Sequence, residues 1–158
     1  MRLNYTVLRL VMNNPAWIDQ HPILFGVGLG LSLWVGVSFL LSFIGGWALL
    51  RGRFRYSGTF KGKRWSSQSG QMRFIAGYRN CLILGASEEG LYMSTILPFR
   101  IGHPPLLIPW SQITVDSKNE YIGVRFKLGQ YPWVSLWLQE PLADRIKQAA
   151  GASWPGPL

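Results

Sequence analysis

The stretch PILFGVGLGLSLWVGVSFLLSFIGGWALL, residues 22–50, decides how the chain is organised, because it contains no charged side chain. Its 29 residues would reach about 43 Å as an α-helix, whereas the hydrocarbon core of a bilayer is about 30 Å thick. The excess length leaves room for tilt, or for one helix end among the lipid headgroups. The stretch therefore predicts a single transmembrane helix within residues 22–50.

The positive charge of the chain is concentrated directly behind this apolar stretch. The net charge is +9, and residues 51–64 supply +6 of it without any acidic residue, whereas residues 1–50 supply +1 and residues 65–158 supply +2. Because cationic flanks remain in the cytoplasm, this bias predicts a single-pass protein of the cell membrane with residues 51–158 inside and residues 1–20 outside. We expect this juxtamembrane linker to contact anionic lipid headgroups through its six basic residues, Arg51, Arg53, Arg55, Lys61, Lys63 and Arg64.

A cleaved signal peptide is the main alternative for the apolar stretch. Residues 46–48 loosely resemble a cleavage site, but the stretch is too long, begins too far from Met1 and is followed by Arg51-Gly52-Arg53, which resembles a stop-transfer signal. The preceding segment, residues 1–20, has apolar residues at helical spacing up to residue 14. Both an interfacial helix and an unstructured tail are compatible with that spacing.

Small residues are regularly spaced within the predicted transmembrane helix. Gly26, Gly28 and Gly30 resemble part of a dinucleotide-binding fingerprint, but no strand precedes them and no acidic residue follows. Gly26 and Gly30 instead form a GxxxG pair, and Gly28, Ser32 and Gly36 extend a stripe of small residues. Such stripes allow two helices to approach closely, so they predict a homodimer or an unidentified membrane protein partner.

The remainder of the chain predicts a mainly β domain, residues 65–151, followed by a tail, residues 152–158. Alternating patterns and turn residues predict seven strands near residues 72–78, 81–86, 91–97, 106–110, 112–117, 121–128 and 133–138. In the last strand, Trp133 and Trp137 would form an aromatic outer face that requires a cover. Glu140-Pro141 begins a predicted helix, and Gly151 ends it. The tail is expected to be disordered.

Two short motifs within this domain are similar to a known family. Glu89-Gly90-Leu91-Tyr92 is a turn that enters a strand, and Ile108-Pro109-Trp110-Ser111-Gln112-Ile113 brings a strand back after a loop. On these motifs, residues 56–150 resemble bacterial pleckstrin-homology-like domains, including the YcxB-like and GRAM-like groups. The resemblance implies a seven-stranded sandwich or open barrel capped by a C-terminal helix. We expect Gly90, Leu91, Pro109, Trp110 and Ile113 to have structural roles.

The sequence offers no pattern typical of an enzyme. A single cysteine, Cys81, precludes an internal disulfide, and His21 and His103 are too few for a histidine-rich metal site. We expect His103 to be a surface loop residue, and we predict no catalytic residue, metal or cofactor. The sequence therefore favours a membrane-anchored, non-catalytic binding or scaffold module. An accessory subunit of a larger membrane complex is the alternative, and nucleic-acid binding is disfavoured.

Overall fold

A computed structural model describes residues 21–73, 75–119 and 121–156 of the chain. The chain divides into two compact units, Met1–Val37 and Ser38–Leu158. The segment of residues 1–20, for which an interfacial helix or a tail was considered, lies outside the described residues. Within the described residues, the architecture is mainly β: a nearly closed antiparallel sheet with two helices before it, the first of them apolar, and one helix after it.

The apolar stretch forms two helices and not one. Helix α1 spans Pro22–Ile44, and helix α2 spans Trp47–Phe54. Among the described residues, α1 is the one helix long and apolar enough to span a membrane. The prediction of one helix up to residue 50 was therefore wrong at its C-terminal end, because Gly46 adopts a φ of 83° and breaks the helix.

The seven strands form one antiparallel sheet. Their order is β4-β3-β2-β1-β7-β6-β5, so β1 pairs with β7 in the middle of the sheet, and β4 and β5, although consecutive in the chain, form its two edges. The bounds are β1 Lys63–Met72, β2 Ala76–Ser87, β3 Gly90–Thr95, β4 Leu106–Pro109, β5 Ile113–Asn119, β6 Gly123–Leu128 and β7 Val134–Leu138. A short 3-10 turn, Trp110–Gln112, joins β4 to β5.

The first two predicted strands were placed incorrectly. The strand predicted at residues 72–78 spans the real β1–β2 turn, and Arg79-Asn80, which separated the first two predicted strands, lies inside β2. Asn80 does have a positive φ of 51°, and the β1–β2 register shifts at Gln68. The residues that signalled a turn are thus associated with an irregular, bent part of the long hairpin.

The segment of residues 51–64 is structured and is not an extended linker. It contains the second half of α2, a stretch along the edge of the sheet and the first two residues of β1. Arg55 forms a β-bridge with Leu106 of the edge strand β4, and the backbone N–H of Tyr56 donates to the carbonyl of Pro105. This stretch therefore covers part of an edge that would otherwise expose unpaired backbone groups.

The C-terminal helix packs onto the sheet as predicted. Helix α3 spans Glu140–Ala150 and buries Leu142, Ala143, Ile146 and Ala150. A 3-10 turn, Gly151–Ser153, follows this helix, and Trp154 packs against the core, so the tail that was expected to be disordered is structured at residues 152–154. Trp154 packs with its ring centroid 5.8 Å from those of both Trp110 and Phe126.

Candidate functional site

The end of the apolar helix is built into the β domain. Ser38 and Ser42 of α1 are 4% and 2% exposed, although they belong to the most apolar helix of the described residues. The Ser42 hydroxyl donates a hydrogen bond of 2.6 Å to the backbone carbonyl of Gly102 in the β3–β4 loop. Two buried hydroxyls one helical turn apart mark the face of α1 that packs against the domain. Neither serine was predicted from the sequence to lie in a contact with the β domain.

A tight turn between α1 and α2 sets the direction of the junction. A Cβ atom at Gly46 would lie 2.7 Å from a methyl group of Val134, and one at Gly45 would lie 3.0 Å from the Tyr78 hydroxyl. Arg73 of the β1–β2 turn donates a hydrogen bond of 3.3 Å to the last carbonyl of α1, at Ile44. A guanidinium at this position satisfies a terminal carbonyl and complements the helix dipole.

Helix α2 places a completely buried tryptophan beneath the turn. Trp47 has no exposed surface, and its indole N–H donates a hydrogen bond of 2.9 Å to the carbonyl of Pro104. The rings of His103 and Tyr78 lie 5.0 and 6.0 Å from the Trp47 ring. These three aromatic side chains fill the space between the helical junction and the sheet.

The prediction that His103 is a surface loop residue was wrong, since its side chain is 2% exposed. Its Nε2 lies 2.9 Å from the Tyr78 hydroxyl oxygen, and its Nδ1 lies 3.1 Å from the carbonyl oxygen of Ile101. Burial lowers the pKa of His103, although backbone contacts at Ile101 and Phe99 act in the opposite direction. Burial likewise raises the pKa of Tyr78. The neutral forms of both side chains are therefore favoured.

The six basic residues of the segment 51–64 do not form one cluster. Arg51, Arg53 and Arg55 are exposed and follow directly from the α1–α2 turn. Lys63 and Arg64 pair with Ala86 and Gly85 near the far end of β2. Lys61 lines a shallow cleft of about 450 Å³ there, together with Tyr56, Phe60, Glu88 and Glu89. Contact of all six with lipid remains a prediction.

The outer face of the last three strands carries a ladder of charges and aromatic rings. Arg125 lies 5.3 Å from the centroid of the Trp137 ring, and Lys127 lies 5.0 Å from that of Trp133. Both cations form ion pairs with Asp116 of the neighbouring strand. The aromatic face that required a cover is thus covered in part by cations of the same sheet.

The two motifs, residues 89–92 and 108–113, lie at the start of β3 and at the connection from β4 to β5. Trp110 and Ile113 are buried, as is Leu91, and the Trp110 indole N–H donates a hydrogen bond of 2.7 Å to the Ser87 carbonyl. Gly90 pairs with Pro109 across β3 and β4. Its φ is not positive. A Cβ atom there would lie 2.2 Å from the Ile108 carbonyl oxygen, so close approach of the strands requires the glycine.

The small residues of α1 face open space. A Cβ atom at Gly26, Gly28, Gly30 or Gly36 would meet nothing within 4 Å. The Ser32 hydroxyl donates a hydrogen bond to the Gly28 carbonyl of the same helix. The structure therefore leaves the predicted helix-packing stripe accessible. Homodimerisation through it stays a prediction.

Potential metal ligands are dispersed over the described residues. Within residues 21–73, 75–119 and 121–156, no three or more His, Cys, Asp or Glu side chains are grouped to hold a metal ion. The thiol of Cys81 is buried, and burial raises its pKa. Glu88 and Glu89 are exposed neighbours in the β2–β3 turn. Comparison with protein-family models, with curated proteins and with solved structures found no match to this chain.

Proposed function

We propose that this chain is a single-pass membrane protein and that its β domain is a non-catalytic binding or scaffold module held at the membrane surface. The observation that carries the proposal is the junction of α1 with the domain. Ser38, Ser42 and Trp47 are buried there. A module on a flexible tether would have no need to bury the end of its anchor.

The distribution of charge supports a cytoplasmic position for the domain. Arg51, Arg53 and Arg55 are exposed just beyond the end of α1, where cations oppose translocation across the membrane. Each cation near an anionic surface contributes about 1 kcal/mol of attraction. Three arginines beside the span therefore help to hold the domain against the inner leaflet. The other three basic residues, Lys61, Lys63 and Arg64, would then face the cytoplasm.

The fold also supports the family resemblance as part of this proposal. Two antiparallel meanders, β1–β4 and β5–β7, joined by the pairing of β1 with β7 and followed by one helix, agree with a pleckstrin-homology-like arrangement. Domains of this architecture commonly present loops and sheet edges to their partners. Here the cleft beside Glu88 and Glu89, at the end of β2 remote from Ala76, is the concave surface best placed for a cytoplasmic partner.

A reporter fusion tests the orientation. We expect green fluorescent protein fused after Leu158 to fluoresce in a bacterial host, and alkaline phosphatase fused at the same position to be inactive. Replacing Arg51, Arg53 and Arg55 by glutamine should weaken this bias, whereas the matched replacement of Lys61, Lys63 and Arg64 should leave it unchanged. Active phosphatase in the unmodified chain would overturn the cytoplasmic assignment.

A second candidate function is that of an accessory subunit of a larger membrane complex. The open space beside Gly26, Gly30 and Gly36 favours it, because a partner helix could approach there closely. A partner recovered in stoichiometric amount from native membranes in mild detergent, and lost on Gly30→Leu or Gly36→Leu, would support this function. Leu31→Phe adds bulk elsewhere on α1 and serves as the control. A monomer without any partner would count against it.

A further inference from the structure

Exposed apolar side chains of the β domain are concentrated around the end of α1. Outside the two N-terminal helices, eight large apolar or aromatic side chains of the described residues are exposed. Six of them belong to three loops, and Tyr121 and Ile122 of the β5–β6 hairpin are the other two. We call the six the collar: Ile75, Leu97, Phe99, Ile101, Tyr131 and Trp133.

Each of the three loops contacts the junction of α1 with α2, either directly or through the residue that follows the loop. Arg73, in the β1–β2 turn with Ile75, bonds to the Ile44 carbonyl. Val134 follows the β6–β7 loop of Tyr131 and Trp133, and its methyl groups lie beside Gly46. The β3–β4 loop, which carries the other three collar residues, is bonded to Ser42 through Gly102.

The β3–β4 loop reaches back along the apolar helix. A Cβ atom on Gly102 would lie 3.5 Å from both the Phe39 Cα and the Ser38 carbonyl oxygen. Because α1 ends at Ile44 and rises about 1.5 Å per residue, this loop lies about 8 Å before the helix end. About 20 residues cross a hydrocarbon core, and 20 counted from Pro22 end at Leu41. The loop is therefore level with the boundary between acyl chains and headgroups.

The β3–β4 loop is fixed in this position by its buried side. His103 is buried against Tyr78 and holds the Ile101 carbonyl, while Trp47 holds the Pro104 carbonyl. The opposite side presents Leu97, 75% exposed, and Ile101, 39% exposed. An ordered loop that keeps aliphatic side chains exposed suits an apolar partner rather than water.

We infer that the collar inserts into the interfacial region of the bilayer leaflet from which α1 emerges. This inference rests on the proposed function, since the bilayer is the occupant only if α1 spans it. The composition fits this environment. Tyr131 and Trp133 are residue types enriched at membrane interfaces, their rings pack at 5.5 Å, and Arg100 is exposed within the same loop as Leu97. The domain is then anchored at four places, α1 and three loops.

Fluorescence quenching by lipids tests the collar in the full-length chain. Single substitutions Leu97→Cys, Ile75→Cys and Tyr131→Cys would carry an environment-sensitive fluorophore in vesicles of neutral and anionic phospholipid. Part of the lipid would bear a nitroxide high on its acyl chain. The unmodified chain, whose Cys81 is buried, gives the labelling background. Leu31→Cys reports on the proposed membrane-spanning helix α1, and Glu88→Cys reports on the β2–β3 turn, which lies at the other end of β2 from the collar.

We expect severalfold stronger quenching, and blue-shifted emission, at positions 97, 75 and 131 compared with position 88. If position 31 is quenched but the collar positions match position 88, the collar inference is overturned while the span stands. If position 31 is not quenched either, α1 does not cross the bilayer, and both the proposed function and the collar fail. Native-like circular dichroism of each labelled variant confirms that the substitution has not unfolded the domain.

Discussion

The Ser42 hydroxyl and the Gly102 carbonyl oxygen are 2.6 Å apart although 60 positions separate the two residues in the sequence. One belongs to the apolar helix and the other to a loop of the β domain. Because Ser42 is almost completely buried, this hydrogen bond forms where water does not compete for it. The contact joins the proposed membrane anchor to the loop that carries Leu97 and Ile101.

Removal of that hydroxyl should weaken the junction. Ser42→Ala leaves the Gly102 carbonyl without its donor, so we expect a loss of about 1 kcal/mol in the free energy of unfolding. Chemical denaturation in detergent, followed by near-ultraviolet circular dichroism, measures it. Ser32→Ala is the matched control, because Ser32 bonds to a carbonyl of its own helix. Equal stability of the two variants would show that the Ser42 contact contributes nothing.

Trp47 should be the most sensitive position of the junction. Trp47→Ala removes a completely buried ring, and such truncations cost about 3–5 kcal/mol. Trp47→Phe keeps most of the volume and loses the bond to Pro104, so it should cost much less. Trp133→Ala, at a side chain 45% exposed, should change stability little in detergent. A mild effect of Trp47→Ala, similar to that of Trp133→Ala, would refute the packing described for the junction.

The stability of the domain should fall as the pH is lowered from neutral. Burial lowers the pKa of His103 in the folded chain below its ordinary value of 6.5. The unfolded chain therefore binds a proton first, and stability is lost as the pH falls from about 6.5 towards the folded-state pKa. Unfolding measured between about pH 7 and pH 5 checks this dependence.

Two histidine variants assign the pH dependence to its source. In His103→Gln, the part of the dependence that begins near pH 6.5 should disappear, because glutamine does not titrate. His21→Gln, at the exposed start of α1, should retain the dependence of the unmodified chain. If His103→Gln leaves the pH dependence of the free energy of unfolding unchanged, another group causes that dependence. The Tyr78 hydroxyl faces His103 directly, so Tyr78→Phe is a useful second variant.

The ladder on the outer face should contribute modestly to stability. Hydrogen bonding from Arg125, assisted by Lys127, lowers the pKa of Asp116 to about 2 from 3.8. The ion pairs of the Asp116 carboxylate therefore stabilise the folded chain above about pH 4, and this stabilisation is lost as the pH falls through about 2. Because the pair is partly exposed, a double-mutant cycle of Asp116→Asn and Arg125→Gln should give a coupling below about 1 kcal/mol. A coupling indistinguishable from zero would contradict the energetic role of the ladder.

The sequence predicted the broad architecture because its strongest patterns are local. An uncharged stretch, alternation in β6 and β7 and the Glu140-Pro141 start of α3 each identify an element without knowledge of its neighbours. Strand β1 was missed for the opposite reason. Its residues, KRWSSQSGQM, are mostly polar, and its β conformation is set by pairing with β2 on one side and β7 on the other.

The junction could not be predicted from sequence because its contacts are remote along the chain. Ser42 and Gly102, or Tyr78 and His103, are brought together only when the β3–β4 loop packs against α1 and β2. A weak signal was present: Ser38 and Ser42 are polar residues one turn apart near the cationic end of an apolar stretch. The Gly45-Gly46 pair likewise signalled the end of α1, but glycine is also common inside transmembrane helices.

The central claim is that α1 anchors the chain by crossing a bilayer, and alkaline carbonate extraction of membranes that contain the full-length chain tests it most directly. Alkaline carbonate releases peripheral proteins and leaves membrane-spanning ones in the pellet. We predict that the full-length chain stays in the pellet until detergent is added, and that a variant with Leu29, Leu33 and Val37 replaced by lysine is released. Recovery of the unmodified chain in the carbonate supernatant would contradict the account.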